Sequence, residues 1–81
     1  MERQIKQLMG DLLNLDPARI DDNTAMETVD GWDSFNHLNL CLALEQEFGI
    51  TLEVDEMEAM TSYYDICLDQ ERDLRRGLAH P

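Results

Sequence analysis

The sequence predicts a small all-α protein, a four-helix bundle with three main helices, a short third helix and a long loop between the first two. Two observations support this prediction. Apolar residues recur every three or four positions in three separate segments, which is typical of helices with one buried face. The 81 residues allow one domain with a small core, for which a simple and locally connected fold is expected.

The first helix is predicted over residues 2–14. It should end at Leu15-Asp16-Pro17, because the residue before a proline avoids the α region. Gly10 should weaken it slightly. The following loop, about residues 15–33, is long for a domain of this size, and such loops are usually functional or fixed by buried side chains. The side chains expected to anchor the loop in the core are Ile20, Met26, Val29 and Trp32.

The second helix is predicted from about Ser34 to Phe48, with Gly49 as a suitable residue to end it. Residues 54–60 should form one or two helical turns. The last helix should begin near Thr61 or Ser62, where Ser62 and Asp65 resemble a capping box. We therefore place the domain at residues 1–73 and expect residues 74–81, where the apolar pattern is lost, to fray.

Charge is the strongest global feature. Eighteen acidic and six basic residues give a formal net charge of −12, with no lysine or arginine between Ile20 and Glu71. Such a chain should repel nucleic acid and anionic lipid and should be attracted to basic protein surfaces. The sequence has no signal-peptide pattern and no apolar run near 18 residues, so we predict a monomeric cytoplasmic protein without membrane insertion.

Metal binding is not expected. Cys41 and Cys67 lie 26 residues apart without a CxxC pair, so we predict two reduced, buried thiols. The acidic clusters, such as Asp21-Asp22, lack the spacing of an EF-hand loop, and a solvated acidic face explains them better.

The second helix has two apolar stripes. The first is expected to face the core and comprises Leu40, Cys41, Leu44 and Phe48. The second comprises Phe35, Leu38 and Leu42. One helix of a small bundle rarely needs two apolar faces. The second stripe is therefore either covered within the fold or binds another protein, and the sequence leaves both alternatives open.

Ser34 lies at the head of the second stripe. The simplest role for Asp or Ser at a helix start is capping. Catalysis is not expected, because a nucleophilic serine needs a base and an oxyanion site, whereas His37 follows on the same helix and no GxSxG motif is present. A serine modified by another enzyme should be exposed, at a helix start, beside an acid and an apolar patch. Ser34 meets this description.

Asp33-Ser34-Phe35 resembles the Asp-Ser-Leu motif of acyl carrier proteins, with Phe in place of Leu. The similarity continues through LALEQEFGI (42–50) and DEMEAMTS (55–62) and covers about residues 2–71. The resemblance implies a four-helix bundle in which Ser34 carries a phosphopantetheine arm. A separate transferase would attach this arm through a phosphodiester, using coenzyme A and magnesium, and its thiol would hold an acyl group as a thioester.

The resemblance also implies a non-catalytic carrier of fatty acid, polyketide or related specialised biosynthesis. Its partners would be a phosphopantetheinyl transferase, an acyl-loading ligase or acyltransferase, and synthase enzymes with basic surfaces. The residues at the family's partner-facing positions are Asp33, Phe35, Leu38, Leu42 and Glu45. The residues that would either line an acyl pocket or fill the core are Leu40, Leu44, Phe48, Leu52, Met57, Met60 and Tyr63.

Some residues depart from the family pattern. Asn36, Asn39 and Gln46 stand where acids are common, which favours a dedicated carrier over one that serves the ordinary fatty acid synthase. A peptidyl carrier is an alternative, although Gly31-Trp32-Asp33-Ser34 lacks the second glycine of that branch. An alternative of another class is an unmodified acidic interaction module. Trp32 is expected to pack on the bundle, and His37 to point toward the third helix.

Overall fold

The computed structural model describes the backbone of residues 2–79 and the side chains of residues 2–73. Its helices are α1 (Glu2–Leu13), α2 (Ser34–Phe48), α3 (Val54–Ala59) and α4 (Tyr63–Ala79), and a 3₁₀ helix (Pro17–Arg19) lies in the loop between α1 and α2. The predicted all-α architecture with a short third helix and a long first loop is confirmed. Within the described backbone no strand is formed, and one isolated bridge pairs Ala25 with Ser62.

One hydrophobic cluster forms the core, and α1 packs directly against α2. Its buried members come from α1, α2, α4 and the connecting segments: Ile5, Met9, Leu13, Ile20, Trp32, Leu40, Cys41, Leu44, Leu52, Met60, Tyr63 and Ile66. Ile20 and Trp32 anchor the first loop as predicted, and Met26 and Val29 pack against the cluster while partly exposed. Lys6 Nζ lies 5.4 Å from the centroid of the Tyr63 ring, a cation–π contact between α1 and α4.

The first loop is also tied to the start of α4 by backbone hydrogen bonds. The amide of Met26 donates to the carbonyl of Thr61 at 2.8 Å, and the amide of Tyr63 donates to the carbonyl of Thr24 at 2.9 Å. These two bonds flank the Ala25–Ser62 bridge. The long loop is therefore held at a point midway along its length, in addition to its buried side chains.

The end of α1 differs from the prediction. The helix stops at Leu13, because Asn14 adopts a left-handed conformation with φ 57°. The amide of Leu15 then donates to the carbonyl of Gly10 at 3.0 Å, a bond typical of helix ends closed by Gly or Asn. Pro17 begins the 3₁₀ helix rather than ending α1, and the Asp16 side chain accepts a hydrogen bond from the amide of Ala18.

Gly10 lies where the returning chain crosses α1. A Cβ atom at this position would lie 2.9 Å from both the Leu15 carbonyl oxygen and Pro17 Cγ. We expect Gly10→Ala to lower the free energy of unfolding by about 1–3 kcal/mol, because this overpacking outweighs a helix-propensity gain of at most about 1 kcal/mol. Urea unfolding measures the change, and Gln4→Ala on the exposed face of α1 is the control. A gain in stability for Gly10→Ala would contradict the close approach.

The remaining helix ends follow the sequence more closely. Gly49, at φ 64°, ends α2, and its amide donates to the carbonyl of Glu45. The Ser62 hydroxyl accepts a hydrogen bond from the amide of Asp65 at 3.1 Å and so caps α4.

The backbone of α4 continues to Ala79, beyond Asp73, where the chain was expected to fray. Most residues after Asp73 are good helix formers, so the helix persists after its apolar period is lost. Residues 80 and 81 of the expected tail lie outside the described residues.

Candidate functional site

Ser34 is the first residue of α2 and is exposed. The helix cap, however, is Asp33. Its side chain accepts a hydrogen bond from the amide of Asn36 at 2.8 Å, and its carbonyl accepts from the amide of His37 at 2.8 Å. The simplest interpretation of Ser34, a capping residue, is therefore wrong. Because Asp33 already caps α2, the exposed hydroxyl of Ser34 is not needed for capping and is explained by another function.

The chain around Ser34 is held in place from both sides. The Asn36 side-chain amide donates to the carbonyl of Gly31 at 2.7 Å, and the Trp32 amide donates to the carbonyl of Val29 at 3.0 Å. The amides of Ser34 and Phe35 lie in the first helical turn, where no intrahelical carbonyl is positioned to accept from them. Together with the positive end of the helix dipole, these groups favour an anion bonded to the serine oxygen.

A chain of hydrogen bonds joins the loop, α2 and α3 beside this site. Trp32 is buried, and its Nε1 donates to Nδ1 of His37 at 2.9 Å. His37 Nε2 lies 2.7 Å from the Met57 carbonyl oxygen. Since the indole N–H is only a donor, Nδ1 is the acceptor, and Nε2 carries the hydrogen that is donated to Met57. The packing of Trp32 and the direction of His37 are as predicted, but sequence reasoning missed their bond to each other.

The second apolar stripe of α2 is exposed. Phe35, Leu38 and Leu42 are 72%, 51% and 48% exposed, whereas Leu40 and Leu44 on the other stripe have no exposed surface. The alternative in which the fold itself covers this stripe is therefore excluded for the part of the chain that the structure describes. A contiguous apolar stripe left in solvent beside Ser34 has the character of a protein-binding face.

Glu45, which the family resemblance placed on the partner face, has a role within the protein. It is half-buried, and its Oε2 accepts a hydrogen bond from the amide of Leu52 at 2.8 Å. This bond fastens the segment that follows α2 to the helix. The sequence carried no signal for it, because the two residues are brought together only by the turn at Gly49.

The candidate acyl-pocket residues are part of the core. Leu40, Leu44, Leu52, Met60 and Tyr63 are buried, and Phe48 and Met57 are partly buried against them. In this structure they pack on one another. An open cleft of about 670 Å³ lies instead between the first loop and the start of α4 and is lined by Ala25, Met26, Glu27, Trp32, Thr61, Ser62 and Asp65.

Two thiols and a phenol hold their protons tightly. Cys41 and Tyr63 are buried, whereas Cys67, which the sequence predicted to be buried, is only half-buried at the edge of the core. Burial, with smaller contributions from the charges of Glu45 and Asp69, raises the pKa of Cys41 to about 11. Burial also raises the pKa of Cys67. The pKa of Tyr63 is raised above its usual range by burial and then by a hydrogen bond with Cys67. All three groups are therefore neutral in the folded protein at neutral pH.

The protein should consequently lose stability at alkaline pH. A group whose pKa is higher in the folded state than in the unfolded state stabilises the fold at pH values below its unfolded pKa. For Cys41 the unfolded pKa is 9.0, and its contribution to stability is lost as the pH rises from there toward about 11. Urea unfolding at pH values from about 8 to 10.5 should show the free energy of unfolding falling above about 9. In Cys41→Ala the fall should be smaller. A flat profile in the wild-type protein would contradict the pKa directions.

Comparisons with known proteins agree with this site. The family described as "Phosphopantetheine attachment site" matches residues 3–67. Polyketide-8 synthase acyl carrier protein 2 of Streptomyces avermitilis is 37% identical over 62 residues, which are 75% of this chain and 70% of that protein. The acyl carrier protein of Thermosynechococcus vestitus is 27% identical over 63 residues, 78% of each chain.

The solution NMR structure of holo acyl carrier protein from Geobacter metallireducens has the same fold. Its TM-score is 0.84, at 22% identity, with 99% of this chain and 92% of that chain covered. No helix among the described residues is both long enough and apolar enough to span a membrane.

The fold and the site define a class, small helical carriers with an exposed serine at a helix start. The chain belongs to the phosphopantetheine-attachment family, as an acyl carrier protein whose covalent cofactor is phosphopantetheine. Carrier domains of this family are generally non-catalytic, and they act together with biosynthetic enzymes.

Proposed function

We propose that Ser34 is the attachment point of the phosphopantetheine arm, and that the protein delivers acyl intermediates to enzymes of polyketide, fatty acid or related specialised biosynthesis. The observation that supports this most strongly is the division of roles at the start of α2. Asp33 caps the helix, and Ser34 presents an exposed hydroxyl at the next position. Ser62, the other serine of the chain, is already engaged as the cap of α4.

The residues around Ser34 fit the phosphate of such an arm. A phosphodiester on Oγ would lie at the positive end of α2, near the amides of the first turn. When bound, the arm supplies a thiol that holds an acyl group as a thioester. The protein itself contributes no catalytic group. It fixes the attachment point and raises the effective concentration of the tethered intermediate for partner enzymes.

The proposal is tested by loading. The purified chain is incubated with coenzyme A, magnesium and a broad-specificity phosphopantetheinyl transferase, and its intact mass is measured. We expect a gain of one phosphopantetheine, and peptide mapping should place it on the peptide that contains Ser34. A gain on another residue, or no gain by a demonstrably folded protein with several transferases, would refute the assignment.

The surface that partners contact comprises, in this proposal, Asp33, Phe35, Leu38 and Leu42. All four are exposed and lie on the first three turns of α2 or directly before it. Asp33 uses one oxygen for capping, and its charge adds to the acidic surroundings that attract basic partner surfaces. We include Glu45 only at the margin, since its Oε2 is occupied by the amide of Leu52. We further propose that this carrier is cytoplasmic and monomeric.

Two leucines of similar exposure provide a matched test of this surface. Leu38 on α2 is 51% exposed and Leu68 on α4 is 41% exposed. We expect Leu38→Ala to lower kcat/KM for loading at least about tenfold, because it removes an apolar anchor, and to leave stability within about 0.5 kcal/mol. Leu68→Ala should load like the wild-type protein. Equal kinetics for both variants would exclude the α2 stripe as the transferase contact.

A dedicated carrier is favoured over one that serves the general fatty acid synthase. Asn36, Asn39 and Gln46 leave α2 less acidic than is common in the family, although the net charge is −12. The similarity to a polyketide synthase carrier points in the same direction. Loading by ligases and acyltransferases from different biosynthetic classes would measure this preference.

A further inference from the structure

Asn36 holds the segment that leads into Ser34 with two hydrogen bonds. Its side-chain Nδ2 donates to the carbonyl of Gly31 at 2.7 Å, and its backbone amide donates to Oδ1 of Asp33 at 2.8 Å. Since a carbonyl oxygen only accepts, the side chain must present its amide N–H to Gly31. The two bonds close a short loop over residues 31–36, and Ser34 lies on the exposed part of this loop.

The same segment is fixed from its other side. Gly31 lies against the end of α1, because a Cβ atom at this position would be 3.2 Å from the Leu13 carbonyl oxygen. The next residue, Trp32, is buried and donates its Nε1 hydrogen to His37 Nδ1 at 2.9 Å. The backbone before Ser34 is therefore restrained by bonds to the first turn of α2 and by contact with α1, and its orientation is set before any partner binds.

An asparagine is an unexpected residue at position 36. It is the third residue of α2, where the positive end of the helix dipole favours an acid, and the family resemblance places acids at this position. A carboxylate here would have no hydrogen to donate to the Gly31 carbonyl and would repel its oxygen. The sequence thus departs from the rule for helix starts in favour of one particular hydrogen bond, and such departures are expected at functional sites.

We propose that Asn36 is a positioning residue for the loading of Ser34, a role that rests on the proposed function. In the loading step the Ser34 oxygen attacks a phosphorus atom of coenzyme A and its proton passes to a base of the transferase. The nucleotide portion of coenzyme A leaves as its bond to that phosphorus breaks. The rate of such a step depends strongly on the orientation of the attacking group. The bond from Asn36 to Gly31 keeps the backbone that carries this oxygen in one orientation, without contact between Asn36 and the reacting atoms.

This role changes the interpretation of the neutral residues on α2. Asn39 and Gln46 lie outside the bonds that hold the loading segment, whereas Asn36 supplies one of them through its side chain. An acid at position 36 should therefore slow loading, even though its charge strengthens the attraction to a basic transferase. The same change at position 39 should add the attraction without the loss.

The test compares Asn36→Asp with Asn39→Asp. Both residues are half-buried on α2, and both substitutions add one negative charge. Loading with coenzyme A, magnesium and a broad-specificity phosphopantetheinyl transferase is followed by intact mass. We expect Asn36→Asp to lower kcat at least about tenfold, with KM for the carrier unchanged or lower. Asn39→Asp should keep the wild-type kcat. Asn36→Ala, which removes the donor without adding charge, should share the loss of kcat.

A second measurement separates positioning from direct contact with the transferase. NMR order parameters of the backbone amides of residues 31–34 are determined in the unmodified chain. They should fall in Asn36→Asp and Asn36→Ala and keep their wild-type values in Asn39→Asp. The Tm of each variant should stay within about 5 °C of the wild-type value, which shows that folded proteins are compared. A loss of kcat with wild-type order parameters would mean that Asn36 contacts the transferase, and it would overturn the positioning role.

The outcomes also distinguish this role from the proposed function. If the wild-type chain takes up no phosphopantetheine, the proposed function itself fails. If the wild-type chain is loaded and Asn36→Asp has the same kcat, the positioning role alone is refuted. An equal loss of kcat in Asn36→Asp and Asn39→Asp would refute it too, because the added charge would then be the cause.

Discussion

Ser34→Ala is expected to abolish phosphopantetheine loading and to leave the free energy of unfolding within about 0.5 kcal/mol of the wild-type value. Its side chain is exposed, and Asp33 supplies the cap of α2. Ser62→Ala should have the opposite effect. It should load normally and lose about 1 kcal/mol, because the Ser62 hydroxyl accepts the hydrogen bond from the amide of Asp65 that caps α4.

These two substitutions form a matched pair, since Ser34 and Ser62 are the only serines of the chain. Intact mass after the transferase reaction measures loading, and urea unfolding measures stability. The separation of the two effects would show that the hydroxyl at the start of α2 serves function and the one at the start of α4 serves folding. A large stability loss in Ser34→Ala, or residual loading in that variant, would contradict this division.

His37→Ala should be among the most destabilising substitutions in the chain, by roughly 2–4 kcal/mol. It removes the acceptor for the buried Trp32 Nε1 and the donor to the Met57 carbonyl, and a buried polar group left unpaired costs about 1–3 kcal/mol. The lost ring adds a packing term. The control is Leu38→Ala, the neighbouring residue on α2, whose exposed side chain should contribute within about 0.5 kcal/mol.

A double-mutant cycle separates the bond from the packing. Trp32→Phe, His37→Ala and the double variant are compared by urea unfolding, and we expect a coupling energy of about 1–2 kcal/mol between the two positions. Tryptophan fluorescence of His37→Ala should also change, because Trp32 is the only tryptophan of the chain. Additive effects of the two substitutions would mean that the Trp32–His37 bond does not form in solution.

The sequence predicted those parts of the fold that depend on local chemistry. The start and end of α2 follow from Asp33-Ser34 and Gly49, and the core face of α2 follows from its apolar spacing. The end of α1 was placed too late, because Asn14 in a left-handed conformation stops the helix before the proline does. The significance of Gly10 was missed for a different reason. Its neighbours, Leu15 and Pro17, come close only after the chain has turned.

The site was predicted in outline but not in its interactions. The family motif indicated Ser34 as the candidate attachment residue, and the spacing indicated the apolar stripe headed by Phe35, but periodicity could not decide whether that stripe was buried or exposed. Contacts between distant residues, such as His37 with Met57 and Glu45 with Leu52, depend on how α2, α3 and the intervening turn are arranged. Hydrophobic patterning carries no information about such polar pairs.

The paired hydrogen bonds around the Ala25–Ser62 bridge have a kinetic consequence. They join segments 37 residues apart, so they form only when the intervening chain, which holds α2 and α3, has brought its two ends together, and a closure of that length is slow relative to helix formation. The amides of Met26 and Tyr63, which donate these bonds, are therefore expected to exchange their hydrogens together, as one cooperative unit. The loop that leads to Ser34 and the first turn of α4 should accordingly open and close at the same rate.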